Sequence, residues 1–518
     1  MSTPSMFSKW QQDVPASIVV LLVALPLCLG IALGSGAPLF SGIIAGIVGG
    51  IVVGFLSGSP LSVSGPAAGL TVIVAAAILK LPSYEAFLLA VVLAGVFQIV
   101  LGYLRAGVIG DFIPNSVIKG MLAAIGLILI LKQLPFLAGF EADFEGDESF
   151  AQADHENTFT EILHGVKNIT PIALIIGVLG IAIMAIWELP FFKKNTVLKL
   201  IPAPLIIVLI AALFNQWLLQ YYPTYALQQK HLVSLPVAND SKEFFSFFTF
   251  PKFKAILYPQ VWFSAFTLAI VASLETLLGI EAVDKLDPLK RITPTNRELK
   301  AQGVGNVVSG LLGGLPLTSV VVRSSANVTS GALTKLSTIL HGALLLTCVV
   351  LIPSILNTIP LCALASILIF TGYKLAKVSL FRAFYKKGWD QFLPFVATIL
   401  AILFTDLLIG ICIGIIVGLY FLIRSNFHSA IIMVNDKNHY LLRLRKDVSF
   451  LNKPLLKHKL ETIPEDAYVI LDATRADFID KDIIEEINDF ISASHSRNIK
   501  VEVKKSLHKP MHLLFKQH

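Results

Sequence analysis

The sequence predicts an all-helical polytopic membrane domain followed by a small α/β domain. Of the 518 residues, 55% are hydrophobic and 14% are charged, whereas soluble domains carry roughly 25% charged residues. The mean hydropathy is +0.76. We count about fourteen apolar helical segments before a final stretch of alternating strand and helix patterns. We therefore predict a transmembrane domain at 1–427 and a soluble domain at 437–508.

The hydrophobic pattern gives the predicted helices in order. Several are shorter than the roughly 20 residues that an α-helix needs to cross a bilayer. The segments lie near residues 15–33, 38–56, 66–79, 85–104, 114–135, 169–189, 201–219, 260–280, 297–312, 318–330, 336–356, 361–375, 391–406 and 408–424.

The charges in the connections predict the orientation in the membrane. Lysines and arginines are concentrated after the sixth, eighth and twelfth segments, whereas the connection after the fifth is acidic at 141–156. Because cytoplasmic connections carry the excess of basic residues, we expect both termini to lie in the cytoplasm. The connection at 220–258 also carries lysines, although this scheme places it outside.

Two apolar segments are broken by glycine and proline at matching places in the two halves. The breaks lie at 59–69 and 313–319, and each precedes a short helix pattern. Such pairs are typical of transporters built from inverted repeats, in which two half-helices meet near the middle of the membrane. Their N-termini expose N–H groups and the positive end of the helix dipole, which favour an anion.

The candidate substrate-binding residues are those that open the two half-helices. They are Ala67, Ala68, Gly69, Thr318, Ser319, Val321 and Val322, together with Arg323 in the second half-helix. The alternative interpretation is that Thr318 and Ser319 are ordinary helix caps and that the small residues only allow close helix packing.

Two charged residues lie inside apolar segments, where an unpaired charge is costly. Arg323 lies within the second half-helix, and its planar guanidinium suits an oxyanion. Glu275 is the only carboxylate in the segment 262–280. Its protonation could depend on whether an anion occupies the site, so it is the candidate coupling residue. A structural ion pair between Glu275 and Arg323 is the simpler interpretation, and it is compatible with these roles.

The histidines and cysteines predict neither a metal site nor a nucleophile. The four cysteines lie in apolar segments, and the histidines of the predicted external loops have no partners at ligand spacing. We therefore expect no enzymatic activity, no cofactor, no metal and no nucleic-acid partner. His341, inside a predicted helix, is expected to be a packing residue with satisfied hydrogen bonds.

Several motifs, in this order along the chain, resemble the SulP (sulfate permease) family of anion transporters. They are Asp13-Val14-Pro15-Ala16, Ala24-Leu25-Pro26-Leu27, Ser62-Val63-Ser64-Gly65-Pro66, Ile113-Pro114-Asn115-Ser116-Val117-Ile118-Lys119-Gly120, Asn296-Arg297-Glu298-Leu299, Gln302-Gly303, Asn306, Gly313-Gly314-Leu315-Pro316, Arg323, Asn327, Gly331 and Thr334. The resemblance implies a seven-plus-seven inverted repeat with core and gate domains, an elevator-like mechanism of alternating access and a homodimer in the inner membrane.

The C-terminal stretch is similar to the STAS domain that usually follows in this family, although it looks shortened. The pattern predicts strands at 440–444, 467–472 and 500–503, and helices at 453–460 and 481–494. Such a unit is near the lower size limit for independent folding.

The resemblance also bears on the coupling ion. In sodium-coupled bicarbonate members, oxygen-bearing groups accompany the carboxylate at the Glu275 position. The corresponding places here are Gly279, Val320, Val321 and Arg323. Sodium needs several oxygen ligands and is repelled by a guanidinium, so proton coupling or plain exchange is expected. The predicted function is proton-coupled transport of sulfate or bicarbonate; an anion exchanger or a channel-like carrier of chloride, bicarbonate or dicarboxylate is the alternative.

Overall fold

A computed structural model describes residues 7–140, 157–190, 202–237, 241–506 and 514–515. The chain divides into two compact units, Met1–Ile415 and Ile416–His518. The first is helical and the second contains a four-stranded sheet with helices. The predicted fold class is therefore confirmed, while the domain limits at 427 and 437 stay predictions.

The first half of the membrane unit contains one unusually short apolar helix between longer ones. Helix α3 has ten residues, which span only about 15 Å. Helices α6 and α7 are bent by 116° relative to each other. The helices are α1 (Trp10–Gly34), α2 (Leu39–Leu56), α3 (Thr71–Lys80), α4 (Tyr84–Tyr103), α5 (Asn115–Leu137), α6 (Thr158–Lys167), α7 (Pro171–Trp187) and α8 (Ala203–Tyr221).

The second half repeats this arrangement with a second short helix at the corresponding place. Helix α11 has nine residues. By length and composition, seven helices of the described ranges are able to cross a membrane, or eight if α6 and α7 form one span. The helices are α9 (Pro259–Leu286), α10 (Thr295–Leu312), α11 (Val321–Thr329), α12 (Leu336–Leu351), α13 (Leu361–Leu375), α14 (Val378–Lys386), α15 (Trp389–Phe404) and α16 (Leu407–Ser429).

The helices of the first unit pack in two groups. Helices α1 to α4 pack mainly with α9 to α12, and we call this set the core group. Helices α5 to α8 pack mainly with α13 and α15, and we call this set the gate group. Each group combines the same positions from both halves of the chain. This is the division that an inverted repeat with core and gate domains requires.

The second unit is a small sheet covered by helices. Its strands lie in the order β3 (Ile431–Asp436), β4 (His439–Val448), β5 (Tyr468–Ile479) and β6 (Lys500–Lys504). The first pair is antiparallel and the other two pairs are parallel. Helices α17 (Lys453–Glu461) and α18 (Lys481–Ser494) join the strands, and α18 buries a row of isoleucines. Every predicted element of this unit is confirmed, and β3 was not predicted.

Candidate functional site

The two broken segments meet as a short antiparallel pair of strands, β1 (Ser64–Pro66) and β2 (Leu317–Ser319). The opposing residues are Ser64 with Ser319, Gly65 with Thr318 and Pro66 with Leu317. Just beyond the pair, the N–H of Val320 donates to the carbonyl of Val63 at 3.0 Å. The unwound backbone groups thus bind one another in an interior that offers no water.

Each strand leads into one of the two short helices. A turn at Ala68–Leu70 connects β1 to α3, and α11 begins two residues after β2. Ser324, in the first turn of α11, accepts a hydrogen bond from the N–H of Val63 at 2.9 Å. Its hydroxyl also donates to the carbonyl of Val320 at 2.7 Å. The N-terminal end of α11 is therefore fixed to the segment that precedes α3.

A small cavity lies at the N-terminal ends of the two short helices. Its volume is about 20 Å³, which is room for roughly one water molecule. The core group lines it with Leu278, Gly279, Val320 and six predicted site residues: Ala67, Ala68, Glu275, Ser319, Val321 and Val322. The opposite wall consists of Met121, Ile125 and Leu407, which lie on α5 and at the start of α16.

Glu275 lies against the start of the first short helix. The side chain is 9% exposed. A Cβ atom built on Gly69 would be 2.9 Å from Glu275 Oε1, so the carboxylate contacts the backbone at this position. Gly69 is a predicted site residue that does not line the cavity, and it contacts Glu275, which does. The adjacent N-terminal end of the helix is a favourable place for negative charge.

Arg323 is fully buried and is not one of the residues that line the cavity. None of its three guanidinium nitrogens has a hydrogen-bond partner among the residues that the structure describes. Its Nη1 packs so closely on Gly65 that any side chain at that position would collide with it. Within the described residues no hydrogen bond joins the guanidinium to the Glu275 carboxylate, and a structural ion pair between the two residues stays a prediction.

Several further buried polar side chains have atoms without a hydrogen-bond partner in the described part of the chain. The Thr318 hydroxyl, opposite Gly65 in the strand pair, is one of them. Another is His341 on α12, which is fully buried and has neither ring nitrogen bonded. The expectation that His341 is a hydrogen-bonded packing residue is wrong, because no partner reaches its ring.

The sequence did not predict the apolar wall opposite the core group. Met121, Ile125 and Leu407 are ordinary residues of long apolar segments, and no local pattern separates them from lipid-facing or core positions. They matter because they line the cavity on the side opposite the two breaks. No signal in a single sequence shows that position.

A larger cavity of about 390 Å³ lies at the C-terminal end of α11, between the two helix groups. On its rim, Lys374 Nζ of α13 lies 2.6 Å from Glu188 Oε1 at the end of α7. Because α11 rises by about 1.5 Å per residue over its nine residues, the two cavities are roughly 13 Å apart along this helix. The lining residues include Pro15, Val19, Thr329, Ser330, Gly331, Pro202, Ala203, Ile367, Phe370 and Thr371.

Comparisons with known proteins agree with this arrangement. The sequence profile of the sulfate permease family matches residues 10–398. Bacillus subtilis YvdB, provisionally assigned as a sulfate transporter, is 25% identical over 85% of this chain and 78% of its own length. The bicarbonate transporter BicA of Synechocystis is 26% identical over 80% of this chain and 69% of its own. The fold matches that of the murine Slc26a9 anion transporter in its inward-facing state, with a TM-score of 0.68 and 16% identity over 96% of this chain and 86% of that one.

We predict that Gly279→Ala distorts the site. A Cβ atom at Gly279 would lie 2.5 Å from the carbonyl oxygen of Ser319, and backbone at this place has little room to move. Overpacking of this kind costs about 1–3 kcal/mol, so the thermal melting temperature of the purified protein should fall. Gly110→Ala is the control, because its nearest neighbour, Leu277 Cβ, lies at 3.5 Å. Equal melting temperatures for the two variants would contradict the prediction.

Proposed function

The chain belongs to the sulfate permease family, and on that basis we propose that it carries out secondary active transport of an inorganic oxyanion, sulfate or bicarbonate. The family includes transporters of both anions. One observation carries the proposal for this chain: two half-helix N-termini meet at one cavity, and beside them Arg323 is buried with no hydrogen bond to its guanidinium from any residue that the structure describes.

The electrostatics of the cavity favour an anion. The N-termini of α3 and α11 each present N–H groups and the positive end of a helix dipole. Arg323 adds a full positive charge three residues into α11, where burial without a partner is expensive. A bound oxyanion would offset both. The cavity holds only about one water-sized volume, so binding requires that the two helix groups or their side chains move apart.

The division of the cavity between the two groups supports an elevator-like mechanism. All its polar residues belong to the core group, whereas the opposite wall consists of Met121 and Ile125 of the gate group and Leu407 at the start of α16. An apolar wall without partners for the anion allows the core to slide past it carrying the substrate. The larger cavity lies on the same boundary, and in the predicted orientation it opens to the cytoplasm. It would serve as the route between the site and that side.

Glu275 is the group that we propose for proton coupling. The cavity that Glu275 lines is also lined by three residues without side-chain oxygens, Gly279, Val320 and Val321. Sodium binding in proteins relies on several such oxygens, as for other hard cations, so we propose that a proton is carried instead. Location in the inner membrane with both termini cytoplasmic, and assembly as a homodimer, complete the proposal. The strands and helices of the second unit are consistent with a STAS domain.

The function is tested by uptake into proteoliposomes. We expect radiolabelled sulfate or bicarbonate to accumulate faster when the outside is acidified and at equal rates in sodium and choline media, because Gly279, Val320 and Val321 offer sodium no side-chain oxygen. Chloride and a dicarboxylate are measured in parallel. Uptake that depends strictly on sodium would contradict proton coupling. Labelled anion that only exchanges with unlabelled anion and never accumulates against its gradient would favour the alternative, an exchanger or channel-like carrier.

We predict that Arg323→Met abolishes uptake without destabilising the protein. The side chain is buried and forms no hydrogen bond within the described ranges, and replacing a buried charge by an apolar group of similar size is often neutral or stabilising. Uptake and melting temperature are measured together. Arg382→Met, which removes an exposed arginine on α14, controls for the change in net charge. A variant that melts much earlier than the wild type would show that Arg323 is structural.

We predict that Glu275→Gln separates anion movement from the proton gradient. The amide keeps the shape of the side chain beside Gly69 and removes the group that titrates. Exchange of labelled for unlabelled anion should persist, whereas accumulation driven by an acidic outside should disappear. The measurement is uptake with and without an imposed pH difference. Accumulation that survives in the variant would place the proton on another residue.

A further inference from the structure

One face of α10 carries three buried polar side chains that the proposed site does not use. Glu298, Gln302 and Asn306 are spaced four residues apart, so they lie one above the other on the helix. Each is at most 1% exposed. Their side chains form hydrogen bonds with both broken segments.

Asn306 holds the start of β2 at two points. Its Oδ1 accepts the N–H of Leu317 at 2.7 Å, and its Nδ2 donates to the carbonyl of the same residue at 3.0 Å. A neighbouring strand would bond the backbone of Leu317 in the same two-point manner. The amide also donates to Gln98 Oε1 on α4 at 2.6 Å, which fixes its orientation.

Gln302 holds β1 from the next turn of the same helix. Its Nε2 donates to Ser64 Oγ at 2.6 Å and to Glu298 Oε1 at 3.0 Å. Glu298 in turn accepts hydrogen bonds from Ser57 Oγ at 2.5 Å and from the N–H of Gly58 at 3.2 Å, at the beginning of the first break. One helix face therefore fastens both unwound segments.

We propose that Gln302 and Asn306 are positioning residues for anion binding. Neither lines the cavity; they act through Ser64 and Leu317, which belong to the two strands that lead into the half-helices. The two strands already form hydrogen bonds with each other. The side chains of α10 additionally fix the position of this strand pair along α10. The inference rests on the proposed function, since it concerns the affinity of the same site.

The test separates positioning from stability with the pair Gln302 and Ser64. Gln302→Leu should raise the KM for sulfate or bicarbonate uptake about tenfold, since small displacements of binding groups are costly. In the double variant Gln302→Leu/Ser64→Ala the hydroxyl that Gln302→Leu leaves unpaired is also gone, so the stability lost at Ser64 should recover, while the contact to Glu298 is missing from both variants alike. The positioning role predicts that the KM of the double variant stays as high as that of Gln302→Leu. A KM that returns to the wild-type value together with stability would overturn the inference.

Asn306 gives a second, independent comparison. Asn306→Leu removes both contacts to Leu317, and its KM should also rise about tenfold or more. Asn296→Leu is the control: the same residue type on the same helix, whose side chain accepts the N–H of Gly107 at 2.9 Å instead of binding a residue of β2. An equal rise in the control would overturn the inference. If Asn306→Leu does not fold, the Gln302 and Ser64 variants decide alone.

The outcomes also distinguish this inference from the function on which it rests. A wild-type protein that takes up none of the tested anions would overturn the proposed function itself. A wild-type protein that transports sulfate or bicarbonate, with variants at Gln302 and Asn306 that keep its KM, would overturn only the positioning role.

Discussion

The pairing of β1 with β2 is the interaction on which the rest of the site depends. A helix broken inside a bilayer leaves backbone groups that only the protein can bind. Here the two breaks bind each other over three residue pairs, and side chains of α10 bind what remains. Each break therefore depends on the other for partners to its backbone groups. The two halves of the chain are joined at the point where their short helices begin, and this brings both N-termini to one cavity.

The same pairing determines where charge can be placed. Interrupting two helices creates two positive ends close together, and Arg323 increases that positive potential instead of offsetting it. Its guanidinium rests on Gly65 of β1, while the Glu275 carboxylate rests on Gly69 at the other side of the short connection to α3. The opposite charges therefore flank one break without bonding to each other through the guanidinium. In the proposed function, this arrangement leaves the positive charge available to an anion.

The sequence predicted the order of the helices and the position of both breaks, but not their local form. The short helices were predicted from 66 and 318, whereas they begin at Thr71 and Val321, because a three-residue strand is too brief to show an alternating pattern. Strand β3 was missed since its apolar residues follow α16 directly; the Asp436-Lys437-Asn438 turn after it was the available signal. The side of α11 that Arg323 occupies depends on packing against Gly65, which sequence spacing alone does not give.

The proposed proton coupling follows from where the core group places Glu275. An oxyanion at the cavity would bring negative charge toward the Glu275 carboxylate, which itself lines the cavity. An ionised carboxylate and an anion close together in a low-dielectric site repel each other strongly, and the proposal therefore assigns the proton to Glu275 when the anion is bound. The guanidinium of Arg323 packs on Gly65 and donates no hydrogen bond to the carboxylate within the described residues. In the proposed mechanism the proton removes the repulsion between Glu275 and the anion, and the loaded core then faces the apolar wall of Met121, Ile125 and Leu407.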